Sequence, residues 1–91
     1  MTPEDAKELS IQGVRYLAGD HEQLGRFLSL SGLAPEDIRG LVGESSFQVA
    51  VLDYFLGHEP SLISFAASMG IDPKDVAAAK YALNPEHIEG W

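Results

Sequence analysis

Glycine and proline cut this chain into stretches too short for any long helix. Pro3, Gly19, Gly32, Pro35, Gly43, Gly57, Pro60, Gly70, Pro73 and Pro85 punctuate it at intervals. Between these breakers apolar residues recur at spacings of three and four, the period of a helix that buries one face. Leu24, Phe27 and Leu28 form one such stripe, Phe47, Val51, Leu52 and Phe55 another, and Leu62, Phe65, Ala66 and Met69 a third. Nothing alternates with the strand period over a useful length. The fold class is therefore all-α, a compact bundle of about six short helices.

Local chemistry predicts where each helix begins and ends. Thr2 caps the first, with Pro3 at a position where its missing N–H costs nothing and Glu4 and Asp5 at the positive end of the dipole. Gly19 ends it. Asp20 with Gln23 reads as a capping box for the second helix, which stops at Gly32. Pro35 opens a short third helix carrying Ile38, Leu41 and Val42, closed by Gly43. Ser45 with Gln48 repeats the capping-box pattern for the fourth, which ends at Gly57. Pro60 opens the fifth and Asp72-Pro73 the sixth, an alanine-rich segment that Asn84-Pro85 stops near Leu83.

The pattern repeats. An offset of 38 residues aligns Tyr16 with Tyr54, Gly19 with Gly57, Leu24 with Leu62, Phe27 with Phe65, Gly32 with Gly70, Pro35 with Pro73 and Asp37 with Asp75, without a gap. These are stripe residues, helix stops and a helix start, which a structural duplication would retain. The reading is one domain over residues 1–91, with a first unit at about 6–43, a second at about 44–83 and a short tail at 84–91. Two units are too few for an open solenoid, so they should pack face to face about a pseudo-two-fold axis and share one core.

With Leu24-Gly25-Arg26-Phe27-Leu28, Gly32-Leu33-Ala34-Pro35-Glu36-Asp37 and Val51-Leu52-Asp53-Tyr54-Phe55-Leu56 in view, the chain resembles a group of small, acidic proteobacterial proteins. They form a family classed only as a domain of unknown function. The resemblance runs from about Leu9 to Leu83. It implies a compact helical fold and carries no catalytic or binding residues.

Composition narrows the function classes. The 91 residues contain no cysteine, which removes disulfides, thiolate metal sites and thiol chemistry. Fourteen acids against six bases give a formal charge of −8, and the bases Lys7, Arg15, Arg26, Arg39, Lys74 and Lys80 are scattered singly. Phosphate backbones are bound by clustered Lys and Arg, so neither a nucleic acid nor an anionic membrane is an expected partner. Met1-Thr2-Pro3-Glu4-Asp5 lacks the basic start and apolar run of a secretory signal, and no apolar stretch approaches membrane-spanning length. A cytoplasmic protein is expected.

Motifs of chemistry are sparse. Phe65-Ala66-Ala67-Ser68-Met69-Gly70-Ile71 followed by Asp72-Pro73-Lys74-Asp75-Val76 has helix-turn-helix spacing, and so does its counterpart in the first unit. Recognition positions that would reach base edges hold Asp72, Lys74, Asp75, Ala77 and Ala78, and in the first unit Glu36, Asp37, Arg39 and Gly40. Close helix packing is the reading those residues favour. His21, His58 and His87 form no helical pair with metal-ligand spacing and are read as exposed histidines at helix ends or in the tail. No nucleophile elbow or phosphate loop is present, and no cofactor, metal or catalytic residue is expected.

The remaining candidates are apolar residues off the main stripes: Ile11, Leu30, Val49, Leu56, Ile63, Tyr81 and, in the tail with Ile88, Trp91. Gathered into one exposed patch, they would mark a protein interface. The leading expectation is a non-catalytic interaction module, either a homodimer or an adaptor for another cytoplasmic protein. The alternative is a DNA-associated regulator using the helix-turn-helix geometry, and a small enzyme or ligand binder with a pocket between the units ranks last.

Overall fold

Among the described residues six helices form, four of them starting where their caps predict. The computed structural model describes residues 1–83. His87, Ile88, Trp91 and the stop signal Asn84-Pro85 lie outside the described residues. The helices are α1 (Pro3–Ala18), α2 (His21–Ser31), α3 (Ile38–Leu41, entered through a 3-10 turn at Pro35–Asp37), α4 (Ser45–Leu56), α5 (Glu59–Met69) and α6 (Pro73–Leu83).

The hydroxyl of Thr2 accepts from the Asp5 N–H at 3.1 Å and closes the start of α1. Asp20 caps α2 by accepting from the N–H groups of Glu22 (3.1 Å) and Gln23 (3.2 Å). The Gln23 amide donates to the other Asp20 carboxylate oxygen at 3.2 Å, while the Asp20 N–H is already held by the Leu17 carbonyl. Gly32 and Gly70 end α2 and α5 in the left-handed conformation, at φ 74° and 69°, which a side chain would strain.

Two predicted starts are corrected. Glu44, not Ser45, is the N-cap of α4, and no side chain caps that end. Gln48 instead folds back, its Nε2 donating to the Val42 carbonyl at 3.0 Å, because at 3% exposure its side chain is interior. Helix α5 begins at Glu59, with Pro60 inside its first turn.

The centre of the molecule is a triangle of α1, α4 and α6, each packed on the other two. Leu17, Val51, Leu52, Phe55, Phe65 and Val76 are fully withdrawn from water there, each contributing about 1.5–3 kcal/mol of apolar burial. Phe55 and Phe65 stack with ring centroids 4.4 Å apart. Helix α2 lies against α1 and α4, and α5 against α4 and α6.

Where α1 crosses α4, Gly13 faces Val51. A Cβ on Gly13 would sit 2.9 Å from Val51 Cγ1 and 3.0 Å from Phe55 Cε2, closer than packed carbon atoms tolerate. Glycine is the residue that lets the two backbones approach.

Some positions 38 residues apart share local geometry. The α2 and α5 bounds correspond residue for residue. Their N-caps, Asp20 and His58, share torsions (φ −138°, ψ 99° against φ −139°, ψ 95°). Offset-matched aromatic pairs cross between the halves: Tyr16 packs edge-on against Phe65 at 5.5 Å and Tyr54 against Phe27 at 5.8 Å.

The third segments break the correspondence. Helix α6 packs on both α1 and α4, whereas α3 contributes only half-buried Ile38 and Leu41 at the edge of the core. Gly40 and Gly43 stand at the offsets of Ala78 and Tyr81. Each glycine costs about 1 kcal/mol of helix propensity relative to alanine, so α3 stops after one turn while α6 continues to Leu83.

Candidate interaction groove

Helices α2 and α4 meet loosely and leave a furrow between them. One end, about 290 Å³, is lined by Phe27, Leu30, Ser31, Ala50, Asp53 and Tyr54. A second recess of about 240 Å³ is lined by Ser31, Leu33, Leu41, Ser46, Phe47 and Ala50. Ser31 and Ala50 line both, so the two recesses adjoin along α4 and are treated together as the α2–α4 groove. Its floor is aromatic: Phe27 lies edge-on between Phe47 (5.9 Å) and Tyr54 (5.8 Å). These rings are only 2%, 4% and 7% exposed, so the floor is a packed surface. Leu30 forms the wall and is 75% exposed, the highest value among the large apolar residues of the described chain.

The lining carries one charged side chain, Asp53. Its carboxylate pairs with the Lys80 ammonium of α6, and its side chain remains 46% exposed against 18% for Lys80. No basic residue lines either end.

The six sequence candidates among the described residues do not line one common cleft. Leu30 lines the α2–α4 groove. Tyr81, 41% exposed, lines a separate open cleft with Met1, Ala78 and Ala82. Ile63 is 54% exposed on α5 and lines neither. Ile11 and Val49 are half-buried, and Leu56 packs against the core, so it serves the fold. Trp91 lies outside the described residues. Ala50 and Asp53 were missed in the sequence: a small residue and an acid on an otherwise apolar helix become meaningful only once α2 is seen to leave them open.

A polar cleft of about 270 Å³ sits where α2 and α5 begin, lined by Asp20, Glu22, Gln23 and Arg26 facing His58, Pro60, Ser61 and Ser64. Every member of the first set matches one of the second at the 38-residue offset. Beneath it, the Tyr16 hydroxyl donates to Ser64 Oγ at 2.9 Å and Arg26 Nη1 donates to the Tyr54 hydroxyl at 3.3 Å. Gln23 reaches both tyrosines, donating to Tyr16 at 3.4 Å and accepting from Tyr54 at 3.5 Å. The Asp20 carboxyl is held below the usual carboxylate range, first by the Gln23 backbone N–H, then by the Gln23 amide, with smaller help from the Glu22 N–H and Arg26 and against the opposing effect of burial.

His58 departs from its sequence reading. It is half-buried, with Nδ1 2.6 Å from the oxygen of buried Ser61; unlike Asp20 on α2, it caps no backbone N–H of α5. His21 is exposed at the start of α2, and His87 lies outside the described residues. Among the described residues no three His, Asp or Glu side chains converge as a metal-holding group.

At the helix-turn-helix positions, the acids secure helix starts. Asp72 accepts from the Lys74 N–H at 2.9 Å while Asp75 accepts from the Asp72 N–H at 3.2 Å. Asp37, the offset partner of Asp75, likewise accepts from the Ala34 N–H at 2.9 Å. No described helix is long and apolar enough to cross a membrane.

No curated protein and no solved structure matches the chain. The model of the family described as a protein of unknown function, DUF3572, matches residues 3–86, and the chain belongs to that family.

Proposed function

We propose that this protein is a non-catalytic interaction module of the cytoplasm that receives a protein partner in the α2–α4 groove. The observation that carries the reading is Leu30: a leucine 75% exposed on the wall of a mainly apolar recess between α2 and α4. A fold this small gains little from leaving such a side chain in water, whereas an interface buries it. The acids that close the starts of the 3-10 turn and α6 weigh against the DNA-associated alternative, since they stand where a recognition helix would offer donors to base edges.

Affinity capture from native lysate with the wild-type chain and with Leu30→Asp tests this, alongside light scattering of both. A partner retained by the wild type and lost with the variant is expected. Recovery of the same proteins by both, or of no protein by either, refutes it.

We also infer that the chain arose by tandem duplication. Support comes from the matched bounds, N-cap torsions and left-handed terminal glycines of α2 and α5 and from the crossed pairs Tyr16–Phe65 and Tyr54–Phe27.

A further inference from the structure

We propose that the occupant of the α2–α4 groove is an amphipathic helix with basic side chains along one flank. This rests on the reading of the groove as an interaction site and adds what fills it.

Periodicity is the first argument. Along the groove, α4 places Phe47, Ala50 and Tyr54 at i, i+3 and i+7, with the two rings packed into the floor and Ala50 half-buried between them. Seven residues of helix span about 10.5 Å. A second helix laid alongside offers anchors with the same rise, at i, i+3 or i+4, and i+7. Ala50, the one methyl side chain of the floor, stands midway where the two backbones come closest.

Other peptide modes lack their receptors. Strand addition needs a free sheet edge, and the described residues contain no strand. A polyproline segment docks on presented aromatic faces. Here Phe27, Phe47 and Tyr54 are 2–7% exposed and packed edge-to-face on one another, so no ring face stands open.

Charge chooses between a foreign helix and a second copy of this chain. Among the described residues the only ionised group on the lining is Asp53, whose side chain is 46% exposed despite its pairing with Lys80. Around it lies a chain of net charge −8. A second copy would bring the same excess of acid against it, while a basic flank is drawn to it and accelerated in approach.

The probe is a capped peptide of about 18 residues with leucines at i, i+4 and i+7 and lysines on one flank. Its controls replace lysine with glutamate, or interrupt the helix with a central proline. Binding is read by amide chemical-shift mapping on the full chain. Expected are shifts confined to Phe27, Leu30, Ala50, Asp53 and their neighbours, growing as salt is lowered. The glutamate and proline peptides should be at least about tenfold weaker. Ala50→Phe, which fills the floor, should abolish binding. Because that variant risks disturbing α4, Leu30→Asp at a position 75% exposed provides the second loss. Asp53→Lys should weaken the lysine peptide by up to about fivefold, the range for exposed pairs.

Equal binding of the proline or glutamate peptide at the groove overturns the basic helix and leaves the interaction module standing. A Leu30-dependent dimer in light scattering overturns it in favour of a second copy. Shifts scattered over the surface overturn it too. The module itself falls only if capture from lysate is indifferent to Leu30→Asp.

Discussion

Replacing Gly13 with alanine should destabilise the wild-type protein yet stabilise a protein that already carries Val51→Ala. In an ordinary helix interior the change gains about 1 kcal/mol. Here the added methyl would lie 2.9 Å from Val51 Cγ1 and 3.0 Å from Phe55 Cε2. Both neighbours are fully buried, and valine has little rotamer freedom on a helix with which to yield. Overpacking of this kind costs about 1–3 kcal/mol, so the cost prevails and Gly13→Ala should lose about 1 kcal/mol net. Val51→Ala alone leaves a void and should lose about 2 kcal/mol. In that background the new methyl enters vacated space, the Phe55 ring edge can move into the remainder, and Gly13→Ala should gain about 1 kcal/mol. The coupling between the sites is then about 2 kcal/mol. Urea or thermal unfolding followed by circular dichroism reads it, since each kcal/mol moves the melting temperature of a domain this size by about 4–8 °C. If Gly13→Ala stabilises both backgrounds equally, the close crossing of α1 and α4 is not what requires glycine, and the reasoning fails.

Two further outcomes follow from polar groups. The Asp20 carboxyl titrates below its unfolded value, so its contribution to stability is present above the usual carboxylate range near 4 and is lost as pH falls through the lower folded midpoint. Unfolding between neutral pH and pH 2 should show that loss in the wild type and a shallower acid limb in Asp20→Asn; parallel limbs would contradict the assignment. Among the described residues the buried Gln48 Oε1 has no hydrogen-bond partner while Nε2 holds the Val42 carbonyl, so Gln48→Met exchanges one satisfied bond for the removal of one orphan. It should change unfolding stability by less than about 1 kcal/mol, and a loss above about 3 kcal/mol would mean the oxygen is paired.

Helix ends were legible in the sequence because capping is local. Thr2, Asp20, Gly32 and Gly70 act on groups within a few residues of themselves, and each does what its neighbours imply. Ser45 misled because the same Ser-x-x-Gln spacing fits a capping box and an interior glutamine equally well; burial of Gln48 decided between them. Leu30 was legible as an apolar residue off the stripe. The groove beside it was not, because it depends on the distance between α2 and α4, helices separated in sequence by the whole of α3. Gly13 marks the same boundary. Gly25 also sits within a helix, but a Cβ there would meet nothing within 4 Å, so sequence gives no way to tell the two apart.

The meeting of Gly13 with Val51 also bears on what each half of the chain would accept as a mate. The two positions stand 38 residues apart, so a pairing of two first halves that kept this crossing would set glycine against glycine across a hollow. In an association of two second halves valine would collide with valine. One small and one large residue fill the contact only when the halves are unlike. At this crossing of α1 and α4 the volume one side chain occupies is the volume the other leaves out.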